Sequence, residues 1–252
     1  MRQIPVIIVH NTLITDKGDG VLTENKRIWE IDAFRGLCVV GMVAAHLLFD
    51  LDLEGILHNR AVAFLTRWGA VAFLALSGLC ATLGKRPVRR GITVLLAGGL
   101  CFLVTYGMYR LGFLGKELII YFGVLHCLGS CMLLWPVFRK LPTWALALFG
   151  TLFVAIGLYF QSINAHGWEL TVPLGLPPAG FETGDYFPLL PNLGWFLLGG
   201  AMGRKLYPRK ESLFPNAPSQ NPVLRFFQAC GRYALPIYLL HQPVFFLLLT
   251  LL

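Results

Sequence analysis

Three histidines stand inside otherwise apolar stretches of the chain, His46, His126 and His241. An ionisable residue at the centre of a membrane helix costs about 2.5–3.5 kcal/mol on insertion scales, so each needs a reason to be there. Neutral imidazole takes up a proton near physiological pH, which suits it to draw the proton from an amine or hydroxyl attacking a carbonyl. Asp50 follows His46 at i+4 and shares its helical face. Asp185 stands at the mouth of a later apolar run and could orient or polarise a histidine there. We take His46, Asp50, His126 and Asp185 as candidate catalytic residues, and Arg35, His58, His241 and Arg67 as candidate substrate-binding residues. The bland reading weighs against each one alone. A single intramembrane histidine is commonly a helix–helix hydrogen-bonding residue, contributing ~0.6 kcal/mol. Asp32 and Arg35, one turn apart, are at least as well suited to a structural ion pair as to chemistry. Arg67 is placed to snorkel to the surface. Three histidines at similar depth carry more weight than any one.

The elements that must position these residues follow from composition. The chain has 252 residues, 56% hydrophobic and 13% charged, about half the charge of an average soluble domain. So few charges cannot cover a globular surface, which argues against a soluble enzyme, a disordered chain and a disulfide scaffold. We expect an all-α polytopic membrane protein with seven spans, near Ala33–Leu53, Ala61–Leu83, Gly91–Tyr109, Leu118–Phe138, Trp144–Phe160, Phe187–Leu206 and Tyr233–Leu252. Residues 1–26 read as a leader, in part disordered, and 27–252 as the membrane domain. With the N-terminus in the cytoplasm, all of the 21 Lys and Arg except Arg60, Arg67, Arg110 and Lys116 fall on the inner side. The loop 161–185 has no Lys or Arg but carries Glu169, Glu182 and Asp185. That bias puts the N-terminus inside and the C-terminus outside, in a cell inner (plasma) membrane. It also explains the net charge of +8 without nucleic acid. At 1.5 Å per residue, the 11 residues from Arg35 to His46 place that histidine ~16 Å past the inner boundary. The second half of span 1 and the start of span 4 then bring His46 and His126 into the outer half. The six cysteines lack metal-ligand or paired-loop spacing and read as small packing residues, so no metal is expected.

The segment Glu30–Asp50, EIDAFRGLCVVGMVAAHLLFD, resembles the opening of the bacterial heparan-α-glucosaminide N-acetyltransferase-like membrane proteins, within the transmembrane acyltransferases. Three further stretches agree in the same order: YFGVLHCLG at Tyr121–Gly129, DYFPLLPNLGWFLLGGAMGR at Asp185–Arg204 and GRYALPIYLLHQPV at Gly231–Val244. The resemblance implies an enzyme moving an acetyl group from acetyl-CoA, as co-substrate, to a sugar amine or hydroxyl of a glucosamine-like or envelope glycan. Its lysosomal members take a cytosolic donor and a lumenal acceptor, so the acceptor side here is extracytoplasmic. The spacing of Arg35 and His46 also resembles the first-helix motif of acyltransferase-3 proteins, in which the histidine is catalytic. The lysosomal enzyme resembles Asn at the His46 position, with its important histidine about eleven residues on, which makes His58 a second candidate for the base. Its large lumenal domain is not expected within these 252 residues.

On the residues themselves, His46 as general base fits acyl transfer, with His126 or His241 positioning the acceptor or stabilising the oxyanion. A transient acetyl-histidine is the mechanistic alternative. The basic loops Lys85–Arg90 and Arg204–Lys210 lie on the donor side, where they could meet the phosphates of CoA. A homodimer is compatible with this reading. Two rivals stand beside it: a proton-coupled transporter or flippase using the same groups as a relay, and a haem protein with histidine axial ligands.

Overall fold

The computed structural model describes residues 27–51, 60–217 and 221–250. The expected leader and His58 lie outside these residues. Among the described residues the regular structure is helical: α1 (Trp29–Asp50), α2 (Arg60–Leu83), α3 (Pro87–Arg110), α4 (Val124–Phe138), α5 (Thr143–Ser162), α6 (Leu189–Leu206), α7 (Pro222–Arg232) and α8 (Ala234–Thr250). Short 3₁₀ segments lie at Lys116–Leu118 and Glu169–Leu174.

Three of the helices, α1, α3 and α5, are long and apolar enough to cross a bilayer, and α2, α4 and α8 contain shorter apolar stretches. Leucines cover the outward faces, with Leu96 and Leu103 on α3 and Leu247 on α8 each more than half exposed. Water would not tolerate such faces over so many helices, whereas lipid tails do. The protein is a helical membrane protein.

Packing runs α5 on α6, α6 on α2 and α2 on α1. Separately α1, α2, α4, α3 and α8 touch in succession and close a ring. The largest apolar core lies among α2, α4, α5 and α6, around the fully buried Leu74, Cys127, Cys131, Leu146, Phe196 and Leu197. The two cysteines are thus packing residues, as their spacing suggested.

Two features differ from the sequence expectation. The fourth span does not start at Leu118. Residues 119–123 leave the 3₁₀ turn in extended form, and α4 begins at Val124, because the loop 183–187 pairs with this stretch through Gly184 N to Ile119 O and Phe187 N to Phe122 O. His126 therefore sits in the first turn of its helix instead of two turns in. The second difference is α7, an amphipathic helix without a counterpart among the seven expected spans. Asn221 caps it by accepting from Val223 N at 2.9 Å, and Pro222 opens it, where its missing N–H costs nothing. It lies along α1, with Gly36 and Gly231 at the crossing; a methyl on either would collide with backbone of the other helix.

Candidate active site

The C-terminal end of α1 and the middle of α8 bring His46 and His241 together. His46 Nδ1 lies 2.7 Å from His241 Nε2, with the rings nearly parallel at 13° and their centroids 4.9 Å apart. The other nitrogen of His241, Nδ1, lies 2.7 Å from the Tyr238 carbonyl oxygen. A carbonyl only accepts, so the network assigns the proton of neutral His241 to Nδ1. His241 Nε2 must then accept, and His46 Nδ1–H donates to it. That leaves the lone pair of His46 on Nε2, which has no hydrogen-bond partner among the described residues. His241 itself is buried, 7% exposed.

Asp50 stands one turn beyond His46. Its carboxyl bonds the Gln242 side chain and lies within electrostatic reach of His241. Its Oδ2 is buried with no partner among the described residues. The dyad therefore has a negative group close enough to stabilise an imidazolium on His241.

Asp185 and Tyr238 connect this pair to the first turn of α4. Asp185 Oδ2 accepts from Val124 N at 2.9 Å and from the Tyr238 hydroxyl at 3.4 Å. The carboxylate lies against Gly123, where a side chain of any size would displace it. Burial raises the Asp185 pKa, opposed by those two donors. The free N–H groups opening a helix favour a negative charge there. His126 Nδ1 accepts from Gly123 N at 3.3 Å, so its proton sits on Nε2, a donor. His126 also stacks on Phe122 and packs against α3 at Gly98. Tyr238 thus links two separate hydrogen-bonded groups, its carbonyl holding the His46–His241 pair and its hydroxyl reaching Asp185 at the turn that carries His126. Tyr238 escaped the reading of the sequence. Its signal was the i−3 spacing from His241 within YLLH, which puts both on one face.

The remaining candidates lie elsewhere. Arg35 is at the opposite end of α1, donating to Asp32 Oδ1 at 3.1 Å, Gly231 O at 3.4 Å and Cys80 Sγ at 2.8 Å. Arg67 is exposed on α2 and lines a groove with Trp68, Asn192 and Trp195. At the Arg35 end, Lys85, Arg86, Arg89 and Arg139 line a second groove of about 700 Å³ with Val88, Ile92 and Pro136. Arg204 is held by the carbonyls of Arg139 and Leu141, both at 2.6 Å, and so buttresses the end of α4.

This arrangement supplies a base with an open lone pair, a partner able to share its proton, a nearby carboxylate and a separate imidazole donor. No curated protein and no solved structure matches the chain. The family model described as heparan-alpha-glucosaminide N-acetyltransferase, catalytic, matches residues 27–243. With the greater part of its length inside that match, the chain belongs to the heparan-alpha-glucosaminide N-acetyltransferase catalytic family, a family of acetyltransferases that use acetyl-CoA.

Proposed function

We propose that the protein takes the acetyl group of acetyl-CoA and transfers it to an amine or hydroxyl of a glucosamine-like sugar or envelope glycan, with His46 as general base. The hydrogen bond between His46 and His241 carries this reading. It puts the lone pair on His46 Nε2 and gives the incoming proton somewhere to go.

The acceptor N–H or O–H meets His46 Nε2, which takes its proton as the acceptor atom attacks the thioester carbon. His46 can then release its Nδ1 proton to His241 Nε2, where Asp50 stabilises the resulting cation. The negative oxygen of the tetrahedral intermediate is within the chemistry of His126 Nε2–H, a neutral donor fixed by its Nδ1 bond. Collapse breaks the C–S bond, and the proton returns through His46 to the departing CoA thiolate. The acetylated sugar and CoA carry away all the atoms that entered.

Seven spans, with the N-terminus cytoplasmic in a cell inner membrane, would place this end of the bundle outside. The groove of Lys85, Arg86, Arg89 and Arg139 would then face the cytoplasm and hold the phosphates of the donor. Supporting this is the match of cationic side chains to phosphate oxygens. Positive-inside bias also accounts for these residues.

The test uses purified protein, radiolabelled acetyl-CoA and glucosamine. Wild type and His58→Ala should transfer label, and His46→Ala should not. Loss in His58→Ala alone would move the base into the segment after α1. Absence of turnover and of CoA binding in wild type would leave a proton-coupled transporter as the better account.

A further inference from the structure

Helix α7 stands beside the first turns of α1, where Gly231 meets the backbone of Asp32 and Gly36 meets that of Phe227. Those turns of α1 carry Glu30, Asp32 and Arg35. Charge at this density is tolerated at the edge of the apolar layer and not in its middle, so α7 lies near the membrane surface. The face of α7 turned to α1 runs through Leu224, Phe227, Gln228 and Gly231, all buried or half-buried.

The rest of its surface divides into two stripes. One is apolar: Val223, Phe226, Cys230 and, just past the helix, Tyr233 recur at three- and four-residue spacing. Val223 is 62% exposed, Phe226 57% and Tyr233 65%. The other is basic, with Arg225 and Arg232 both exposed and two turns apart. Neither arginine forms an ion pair among the described residues; Arg232 donates to Gln228 Oε1 of its own helix at 3.4 Å. The acidic side chains at this end are engaged or outnumbered. Asp32 is paired with Arg27 and Arg35, Glu30 is held by Ser212 and Leu213, and the exposed Glu211 follows Arg209 and Lys210.

An apolar stripe beside a basic one is the surface of a helix that sits where acyl chains meet headgroups. Guanidinium groups suit phosphate oxygens. A zwitterionic headgroup brings its own cation against the arginines, whereas an anionic headgroup does not. A second copy of the chain fits this face less well. A two-fold contact here would set the arginines against their own copies, and four apolar side chains fall short of the ~800 Å² per partner that a standard interface buries. We propose that α7 is a binding surface for anionic phospholipid, with acyl chains against Val223 and Phe226 and headgroups on Arg225 and Arg232.

This inference goes beyond acetyl transfer and does not depend on it. An enzyme without acetyl-CoA turnover would still carry the surface.

The experiment puts the photoreactive amino acid p-benzoylphenylalanine in place of Phe226 in the full-length protein. The protein is held in nanodiscs of equal parts phosphatidylcholine and phosphatidylglycerol. Irradiation joins the side chain to whatever covers it, and mass spectrometry of the labelled peptide identifies the adduct. Phosphatidylglycerol adducts should exceed phosphatidylcholine adducts at least about threefold. Arg225→Gln combined with Arg232→Gln should bring the ratio down to about one. Both residues are exposed, so the double variant keeps the fold on which the comparison rests. The same probe in place of Leu103, on the outward face of α3 and 64% exposed, should give a ratio of about one throughout. The proposal is overturned by a ratio near one at Phe226, by an excess that survives the double substitution, or by an equal excess at Leu103. An adduct joining two chains, or no lipid adduct at all, would overturn it as well.

Discussion

The two ends of α1 use the same kinds of side chain to opposite effect. At its start, Asp32 and Arg35 form an ion pair whose guanidinium also holds Cys80 of α2 and Gly231 of α7. Glu30 nearby accepts from Ser212 Oγ at 2.8 Å and Leu213 N at 2.7 Å, tying down the connection between α6 and α7. At its far end, His46 Nε2 and Asp50 Oδ2 lack partners among the described residues. One end has its polar capacity satisfied and locks three helices together. The other keeps a lone pair and an anionic oxygen in reserve, as a site that must exchange protons requires.

The largest effect that would test this contrast is on turnover. His46→Ala should lower kcat/KM by roughly 10²–10⁴-fold, the range of a positioned general base, while the thermal unfolding midpoint in detergent stays within a few degrees of wild type. Next is Arg35→Ala, which leaves the mostly buried Asp32 with the exposed Arg27, 3.8 Å away, as its remaining ion-pair partner among the described residues. Its cost should be at most about 3 kcal/mol of stability, read as a lowered unfolding midpoint, with activity per folded molecule near that of wild type. A stable but inactive Arg35→Ala would erase the distinction between the two ends.

Much of the bundle was legible because lipid imposes a simple rule. A span needs about 20 apolar residues, so the runs containing α1, α3 and α5 could be drawn from the sequence with small boundary errors. The Asp32–Arg35 pair was legible too, since both partners lie on one helix and the spacing is fixed. What escaped depends on contacts between distant segments. The start of α4 is set by the loop 183–187, more than sixty residues downstream, so apolar content alone placed that helix too early. The meeting of His46 with His241 depends on α8 packing against α1, which no local pattern encodes. Helix α7 carries charge and is short, so a search for spans passes over it.

A smaller effect concerns Asp185. Burial makes its carboxyl hold a proton more tightly in the folded protein than at its ordinary value of 3.8. The associated stability is therefore complete below that value and is lost as pH rises through the folded pKa. The wild-type unfolding midpoint should fall over this rise. Asp185→Asn, which still accepts from Val124 N and the Tyr238 hydroxyl, should flatten the curve. An unchanged curve would mean that the two donors cancel the effect of burial.

The finest test separates the two roles of Tyr238. Its carbonyl fixes the tautomer of His241 and belongs to the backbone, so Tyr238→Phe leaves it in place. The substitution removes only the hydroxyl on Asp185, a long contact at 3.4 Å. A neutral hydrogen bond of this kind contributes about 0.5–1.5 kcal/mol, so kcat/KM should fall about two- to tenfold. The pH at which activity is half-maximal should not move, because the proton path from His46 to His241 is intact. If that midpoint shifts, the hydroxyl acts on the histidines through Asp185, and the start of α4 belongs to the proton network as well as to the frame that holds it.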